Sequence, residues 1–537
     1  MSVHEYIVVG SGATGSMAAQ TLVEAGLEVF MLDGGQRDDR YASIIPDKPF
    51  IDLRTTDEEQ HRYFLGDLFE GVSPDPVGTG AQLTPPRQFI NAEVSRFLPL
   101  TSDSFFPLES LALGGLASGW GLGCGVFSDA ELRKAGLPPA EMKAAYEVVA
   151  GRVGISGSED DARPYTSAHL RGIMPATPLD RAPSTLLGSY SKKRDRLRED
   201  GFRLGRPAMA LLTQDYDGRK ATSMNDMDFY SDAGRSAWRA WIAIDQLRVR
   251  ANFTYAGNFL VTRFQEEDGV VTVFGIGMKT LQERSYQCRR LVLASGTLGT
   301  ARIVLRSNAG RDVKIPILSN PYTYVPSIVF ASVGQSVPRK KASLCQLVLL
   351  HDQDGKHEDV AQAGIYTYHS LLLFRLLKEV PLNHVDARVL MRYLLSGFLI
   401  IGIFHPEGHS VDKLLWLEPD ARSITGDRLH ATYRLTAGET DRIEKREQQY
   451  MRAIRTMGAW PIKRIRPGHG AGIHYAGTLP FSEAEHPYGL APSGRLHGTK
   501  AVYVADGSGF RYLPAKGLTL SLMAQAHLVA SRLVARS

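Results

Sequence analysis

An α/β fold is predicted by three features of the first 34 residues. Tyr6-Ile7-Val8-Val9 is a short apolar run of the kind a strand buried on both faces requires. Gly10-Ser11-Gly12-Ala13-Thr14-Gly15 follows at once, and Ala18, Ala19, Leu22, Val23 and Ala25 then recur at helical spacing until Gly26 stops the helix. A second apolar run, Val29-Phe30-Met31-Leu32, ends on Asp33 and Gly34. Strand, glycine turn, helix and acid-tipped strand together make a Rossmann-like dinucleotide-binding unit. Gly10 allows the tight turn, Gly12 lets a pyrophosphate approach the backbone, and Gly15 lets helix and strand pack closely. Ala13 and Thr14 open the helix whose N-terminus attracts phosphate, and Asp33 is placed to accept ribose hydroxyls. This unit alone suits FAD and NAD equally.

A chain of 537 residues exceeds what one hydrophobic core usually supports, so two joined domains are expected. The 62 basic and 57 acidic residues leave a net charge of only +5, with no long basic run, so nucleic acid is not an expected partner. Lys463, Arg464 and Arg466 form a small basic cluster that reads as a solvated edge. Three scattered cysteines, Cys124, Cys288 and Cys345, form neither a disulfide framework nor a metal knuckle, which suits a reducing cytoplasm. The chain enters its first strand without a leader pattern, and a cytoplasmic location is expected. The apolar stretch Leu394–Phe404 is too short to span a bilayer and reads as a buried strand or helix edge. With the neighbouring run 369–377 it is alternatively an apolar substrate mouth or a membrane-surface patch.

The far end of the chain separates the two cofactors. Ala501-Val502-Tyr503-Val504-Ala505-Asp506-Gly507-Ser508 is a strand ending on an acid and small residues, and Leu518 to Val534 reads as a final helix. Upstream stands His474-Tyr475-Ala476-Gly477-Thr478, with Asp506 following His474 by 32 residues. These motifs resemble the glucose–methanol–choline (GMC) oxidoreductases, whose H-x-x-G-T segment, D-G-S or D-A-S strand end and last helix enclose FAD. Gly114-Gly115-Leu116-Ala117-Ser118-Gly119-Trp120-Gly121 is similar to the family's glycine-rich segment against the isoalloxazine, which implies contacts from Gly115, Ser118 and Trp120. Asn258-Phe259-Leu260-Val261 resembles the strand whose backbone meets adenine, at Val261. Leu291 to Leu298, with Ser295 and Gly296 at its turn, resembles the return to the nucleotide unit.

The resemblance implies a Rossmann-like FAD-binding domain from residues 1–150, 225–310 and 470–537. A substrate domain from 311–469 would hold a mostly antiparallel β-sheet backed by helices, with 151–224 as an insertion or cap. Apolar, β-rich runs such as 343–350 agree with such a sheet. Asp506, Gly507 and Leu518 join the expected cofactor contacts.

In this family a hydride leaves an alcohol carbon for flavin N5 while a base takes the hydroxyl proton. Histidine suits that task because its pKa lies near neutrality, and by resemblance His474 holds the position. The family's second catalytic residue, a His or Asn, falls on Gly517, which has no side chain to offer. Three readings stay open: Lys516 supplies a cation at the flavin's pyrimidine edge, Gly517 makes room for a bulkier substrate, or Lys516 points to solvent. The family's site of covalent flavin attachment is Gly119 here, which implies dissociable FAD. Cys124 reads as a small buried residue in a tight loop and Trp120 as flavin border or core. His405 and His409 are four apart, but Pro406 and Gly408 interrupt any helix there and no third ligand is apparent, so no metal is expected. His469 reads as a rim loop residue and His527 as packing within the last helix.

The expected activity is FAD-dependent oxidation of a small-molecule alcohol, of a sugar or another polyol, with oxygen or a separate carrier as electron acceptor. The alternatives are a lyase of the same fold that retains FAD, and a non-catalytic FAD-binding protein. A pyridine-nucleotide enzyme is disfavoured because no second G-x-G-x-x-G accompanies the first.

Overall fold

Five parallel strands carry the nucleotide unit. Val3–Val9 lies between Val29–Leu32 and Glu283–Leu293, while Phe253–Ala256 pairs beyond the second and Val502–Val504 beyond the third. Ile7, Val8, Val29 and Met31 are fully buried, as strands covered on both faces must be. Glu283–Leu293 is long enough to change partners along one edge. Its first half pairs antiparallel with Val270–Gly277, which pairs in turn with Phe259–Glu267, and its last three residues pair with Val502–Val504. The C-terminal strand is thus inserted into a sheet begun at the N-terminus. The helix Ala13–Glu24 packs on the last helix, Thr519–Val534, where His527 Nδ1 and Thr21 Oγ1 are 2.8 Å apart. Gly26 takes a φ of 86° just past the end of the first helix, a stop that suits glycine.

This computed structural model describes residues 3–38, 40–41, 43–69, 85–227, 234–308, 313–342, 344–367 and 382–536. The apolar run 369–377 lies outside the described residues.

A second sheet of six strands is antiparallel throughout. Its order is Trp460–Pro461, Tyr322–Ile328, Phe398–Phe404, Ala361–Thr367, Leu347–His351 and Phe202–Gly205. The 151–224 stretch therefore supplies the edge strand, and its helix Arg181–Lys192 also packs on this sheet. Alternation along each strand sends Val325, Ile401, Ile403, Ala363, Ile365 and Leu349 to one face, where Tyr450 and Ile454 of the helix Ala437–Thr456 cover them. Thr436 starts that helix with a capping box to Glu439. The Leu394–Phe404 stretch is the end of one helix, a short 3-10 turn and the central strand Phe398–Phe404. Among the described residues, no helix is long and apolar enough to cross a membrane.

The two sheets are joined by a short crossing. Leu318–Ser319, just before the second sheet, pairs with Tyr475–Ala476, and Glu407–Gly408 pairs with Tyr512–Leu513. These two pairings bring the H-x-x-G-T segment and the loop before the last helix against the second sheet.

Candidate active site

The glycine loop divides its three glycines between packing and opening. A Cβ on Gly10 would lie 2.5 Å from the Ala294 carbonyl oxygen, and one on Gly15 would overlap the Gly10 carbonyl oxygen. At Gly12 the nearest atom to such a Cβ is the Gly114 oxygen at 4.0 Å, so this position faces open space. Gly12 is also the N-cap of the Ala13–Glu24 helix and gives it no side-chain cap. The first-turn N–H groups at Ala13, Thr14 and Gly15 therefore point toward that opening, as a pyrophosphate site requires.

Asp33 ties this loop to its surroundings. Its Oδ1 accepts from Ser11 N at 3.1 Å, and its Oδ2 accepts from Ser11 Oγ at 2.6 Å and Tyr255 OH at 2.8 Å. Burial raises the Asp33 carboxyl above its usual range, against the pull of these donors. Gly34 is required because a Cβ would sit 2.7 Å from the Leu111 oxygen. Phe259 N donates to the Asp33 carbonyl, which leads the chain into the strand carrying the buried Val261.

The glycine-rich segment folds back over the same loop. Gly114 and Gly115 have φ of 84° and 54°, and a Cβ on Gly115 would come within 3.3 Å of Gly12 Cα. Ser118 Oγ donates to Leu113 O at 2.6 Å, bracing the segment itself, and Trp120 Nε1 donates to Trp238 O at 2.9 Å, tying the segment to the chain before the helix Ala240–Leu247. Ser295 and Gly296 form the turn before the helix Thr297–Ser307, with Gly296 at φ 75°. Asp506 caps the Gly507–Gly509 turn: Oδ1 accepts from Ser508 N and Oγ, and Oδ2 accepts from Thr300 Oγ1. Leu518 precedes the last helix without a side-chain cap, leaving a second helix N-terminus open.

His474 sits where the two sheets meet. Its neighbour Ile473 is held at φ 57°, a strained conformation for a β-branched residue and one that clusters at functional sites. The imidazole stacks on Phe404 at 4.9 Å between centroids. Its Nδ1 lies 2.9 Å from Asn320 Oδ1. The Asn320 Nδ2 donates to three carbonyl oxygens, those of His405 at 2.8 Å and of Leu513 and Pro514 at 3.3 Å each. With the amide nitrogen so committed, Oδ1 must accept, and His474 Nδ1 must carry the proton. Nε2 is left unprotonated. Burial pushes the imidazole pKa down to about 4, which keeps it neutral at pH 7.

No protein-family model matches the chain. It is 24% identical to paromamine 6'-oxidase of Streptomyces fradiae over 554 aligned positions, covering 98% of this chain and 90% of that protein. Among solved structures it superposes on pyridoxine 4-oxidase from Mesorbium loti with a TM-score of 0.58 at 14% identity, covering 98% of this chain and 99% of that one. Both are GMC-family flavoenzymes. These likenesses support the GMC resemblance read from the sequence, and the superposition shows that the fold is shared.

The loop before the last helix is closed to a second side chain. A Cβ on Gly517 would lie 2.5 Å from Gly123 O, and one on Gly125 would meet Lys516 Cβ at 3.1 Å. The loop is pressed onto the 123–125 backbone, so neither His nor Asn fits at Gly517. Lys516 does not point to solvent: it is 1% exposed, and Nζ donates to Glu131 Oε2 at 2.6 Å and to Val126 O at 3.4 Å. Its ammonium is committed to a buried carboxylate that is also part of a helix-capping box with Ser128.

The remaining sequence candidates resolve as structure. Arg464 and Arg466 pair with Glu444 and Glu447, while Lys463 is exposed. Burial raises the Cys124 thiol far above its usual range, which makes it inert. His405 and His409 flank the Glu407–Gly408 strand, and among the described residues no cluster of three or more His, Cys, Asp or Glu could hold a metal. The His469 ring lies tilted against Tyr433, with centroids 4.8 Å apart. Sequence reasoning missed Asn320 and Phe404. The signal available was slight: an Asn-Pro pair directly before the alternating run Tyr322-Thr323-Tyr324-Val325.

Proposed function

We propose that this protein oxidises the hydroxyl-bearing carbon of a small-molecule alcohol, using non-covalently held FAD and His474 as the base. The single observation that carries the reading is the Asn320–His474 contact, which supports a neutral imidazole with Nε2 bare. When bound, the flavin supplies the hydride acceptor. His474 Nε2 would take the substrate hydroxyl proton, and Asn320 Oδ1 would keep accepting from Nδ1–H as the ring becomes charged.

The cofactor would be held by the loop Gly10–Gly15, by Asp33 and Gly34, by Gly115, Ser118 and Trp120, by Val261, by Ser295 and Gly296, and by Asp506, Gly507 and Leu518. The open space at Gly12, in front of a helix N-terminus without a side-chain cap, supports this fit. Dissociable FAD is supported at Gly119, which has no side chain to which a flavin could be joined. Residues 1–150, 225–310 and 470–537 would form the cofactor side, and 311–469 with 151–224 the substrate side. Lys516 serves as a clamp through Glu131. The names of both relatives include oxidase, which supports oxygen as the acceptor.

The test is anaerobic mixing of the yellow holoenzyme with a panel of alcohols. Bleaching of the flavin by at least one alcohol, lost in His474→Ala, is the expected outcome. Bleaching at an unchanged rate in His474→Ala would remove the histidine from the reaction. Reoxidation on admitting air separates oxygen from a dedicated carrier.

A further inference from the structure

The two faces of the six-stranded sheet are unlike. One is a mostly aliphatic layer beneath the helices Arg181–Lys192 and Ala437–Thr456. The other carries Tyr322, Phe404 and Tyr366, all part-exposed, and it runs up to His474. Register places Tyr322 beside Phe404, with rings 4.6 Å apart, and Phe404 continues into the imidazole at 4.9 Å.

Two glycines let these rings lie flat. A Cβ on Gly402 would come within 2.8 Å of Tyr322 OH, and one on Gly364 within 3.0 Å of the Tyr366 ring. Glycine weakens the interior of a strand, and in both places the backbone under it is occupied by a tyrosine ring. Tyr322 OH has no hydrogen-bond partner among the described residues and is available to a ligand hydroxyl.

We propose that this aromatic face is the substrate platform and that it takes the flat apolar side of a neutral ring-bearing alcohol. Stacking against Tyr322 and Phe404 would hold the ring, with its hydroxyl presented to His474. The strands Tyr322–Ile328, Phe398–Phe404 and Ala361–Thr367 carry no Asp or Glu, so they offer an ammonium group no carboxylate to offset its desolvation. Attraction of a cation to the ring faces alone is the weaker effect. The proposal rests on the alcohol-oxidation reading above, and names the class of alcohol.

The test uses holoenzyme and probes that cannot be oxidised as alcohols, titrated calorimetrically. These are benzyl methyl ether, a methyl pyranoside with its hydroxyls methylated, 1-methoxyhexane as the acyclic control, and benzyltrimethylammonium as the cationic control. At least one neutral ring is expected to bind tenfold or more tighter than both controls, and the arm that does so distinguishes an aromatic from a sugar ring. Tyr322→Leu should abolish that preference, and Tyr322→Phe, which keeps the ring, should retain it. Equal binding of ring and acyclic probes, tighter binding of the cation, or a preference that survives in a folded Tyr322→Leu would overturn the platform. Benzyl alcohol, the unmethylated methyl pyranoside and 1-hexanol are then tried for anaerobic flavin bleaching. Ring binding without bleaching leaves the platform standing and sinks the oxidation reading. Bleaching by all three at equal rates, with no ring preference in binding, does the reverse.

Discussion

Asn320 and His474 are 154 residues apart in the chain, yet their side chains meet at 2.9 Å. The contact is directional because three carbonyls hold the amide nitrogen of Asn320 and leave only its oxygen for the imidazole. The proton is thereby fixed on Nδ1, as a base acting through Nε2 needs.

Replacing Asn320 by Ala should slow anaerobic flavin reduction by roughly tenfold to a hundredfold, less than the 10²–10⁴ that a general base itself supplies. KM and flavin content should stay near wild type, because only the tautomer and ring orientation are released. Water admitted beside the ring should also move the acid limb of kcat/KM toward higher pH, nearer the free imidazole value of about 6.5. A loss confined to KM would assign Asn320 to substrate binding.

The pH dependence of stability follows from three histidines. Burial above all pushes His474, His351 and His527 each down to about 4. In the unfolded chain they bind protons below a pH of about 6.5. Between 6.5 and 4 the unfolded state therefore holds protons that the folded state refuses, and stability falls as the pH is lowered through that window. Thermal unfolding at pH 7, 5.5 and 4 should show a progressive drop in Tm. A Tm that is flat from pH 7 to 4 would contradict the burial of these rings.

The nucleotide unit was legible because its determinants are consecutive. Gly10, Gly12, Gly15 and Asp33 fall within one strand–turn–helix–strand, and Gly15 is required by the Gly10 carbonyl five residues away, whereas the contact that requires Gly10 comes from the distant Ala294. The His474 environment was legible only in part. Its motif marked the histidine, while Asn320 and Phe404 arrive through pairings of distant strands that leave no periodic trace. Lys516 shows the limit from the other side: a lone lysine beside a glycine reads alike whether it faces solvent, cofactor or, as found, the buried Glu131.

Lys516→Met should leave the Glu131 carboxylate buried beside only its capping donor. Breaking a buried pair in this way costs about 3–5 kcal/mol, so the variant should unfold at markedly lower denaturant concentration. Adding Glu131→Gln, which removes the unpaired charge and keeps the capping geometry, should recover much of the loss. Flavin reduction in the folded double variant should match wild type. A slow double variant with full flavin content would return Lys516 to the chemistry.

Gly12 and Gly15 should respond oppositely to the same substitution. Gly15→Ala places a methyl on the Gly10 carbonyl oxygen, where strand and helix are both fixed, and should prevent folding of the N-terminal unit. Gly12→Ala meets no protein atom nearer than 4.0 Å and sits at φ −61°, ψ −174°, which alanine adopts freely. Its methyl would instead fill the space in front of the helix N-terminus where the pyrophosphate is proposed to lie. The purified Gly12→Ala protein should therefore be folded, with a circular dichroism spectrum like wild type, but colourless and weak in FAD titration. A folded Gly12→Ala protein that stays yellow and binds FAD as tightly as wild type would move the pyrophosphate away from this turn.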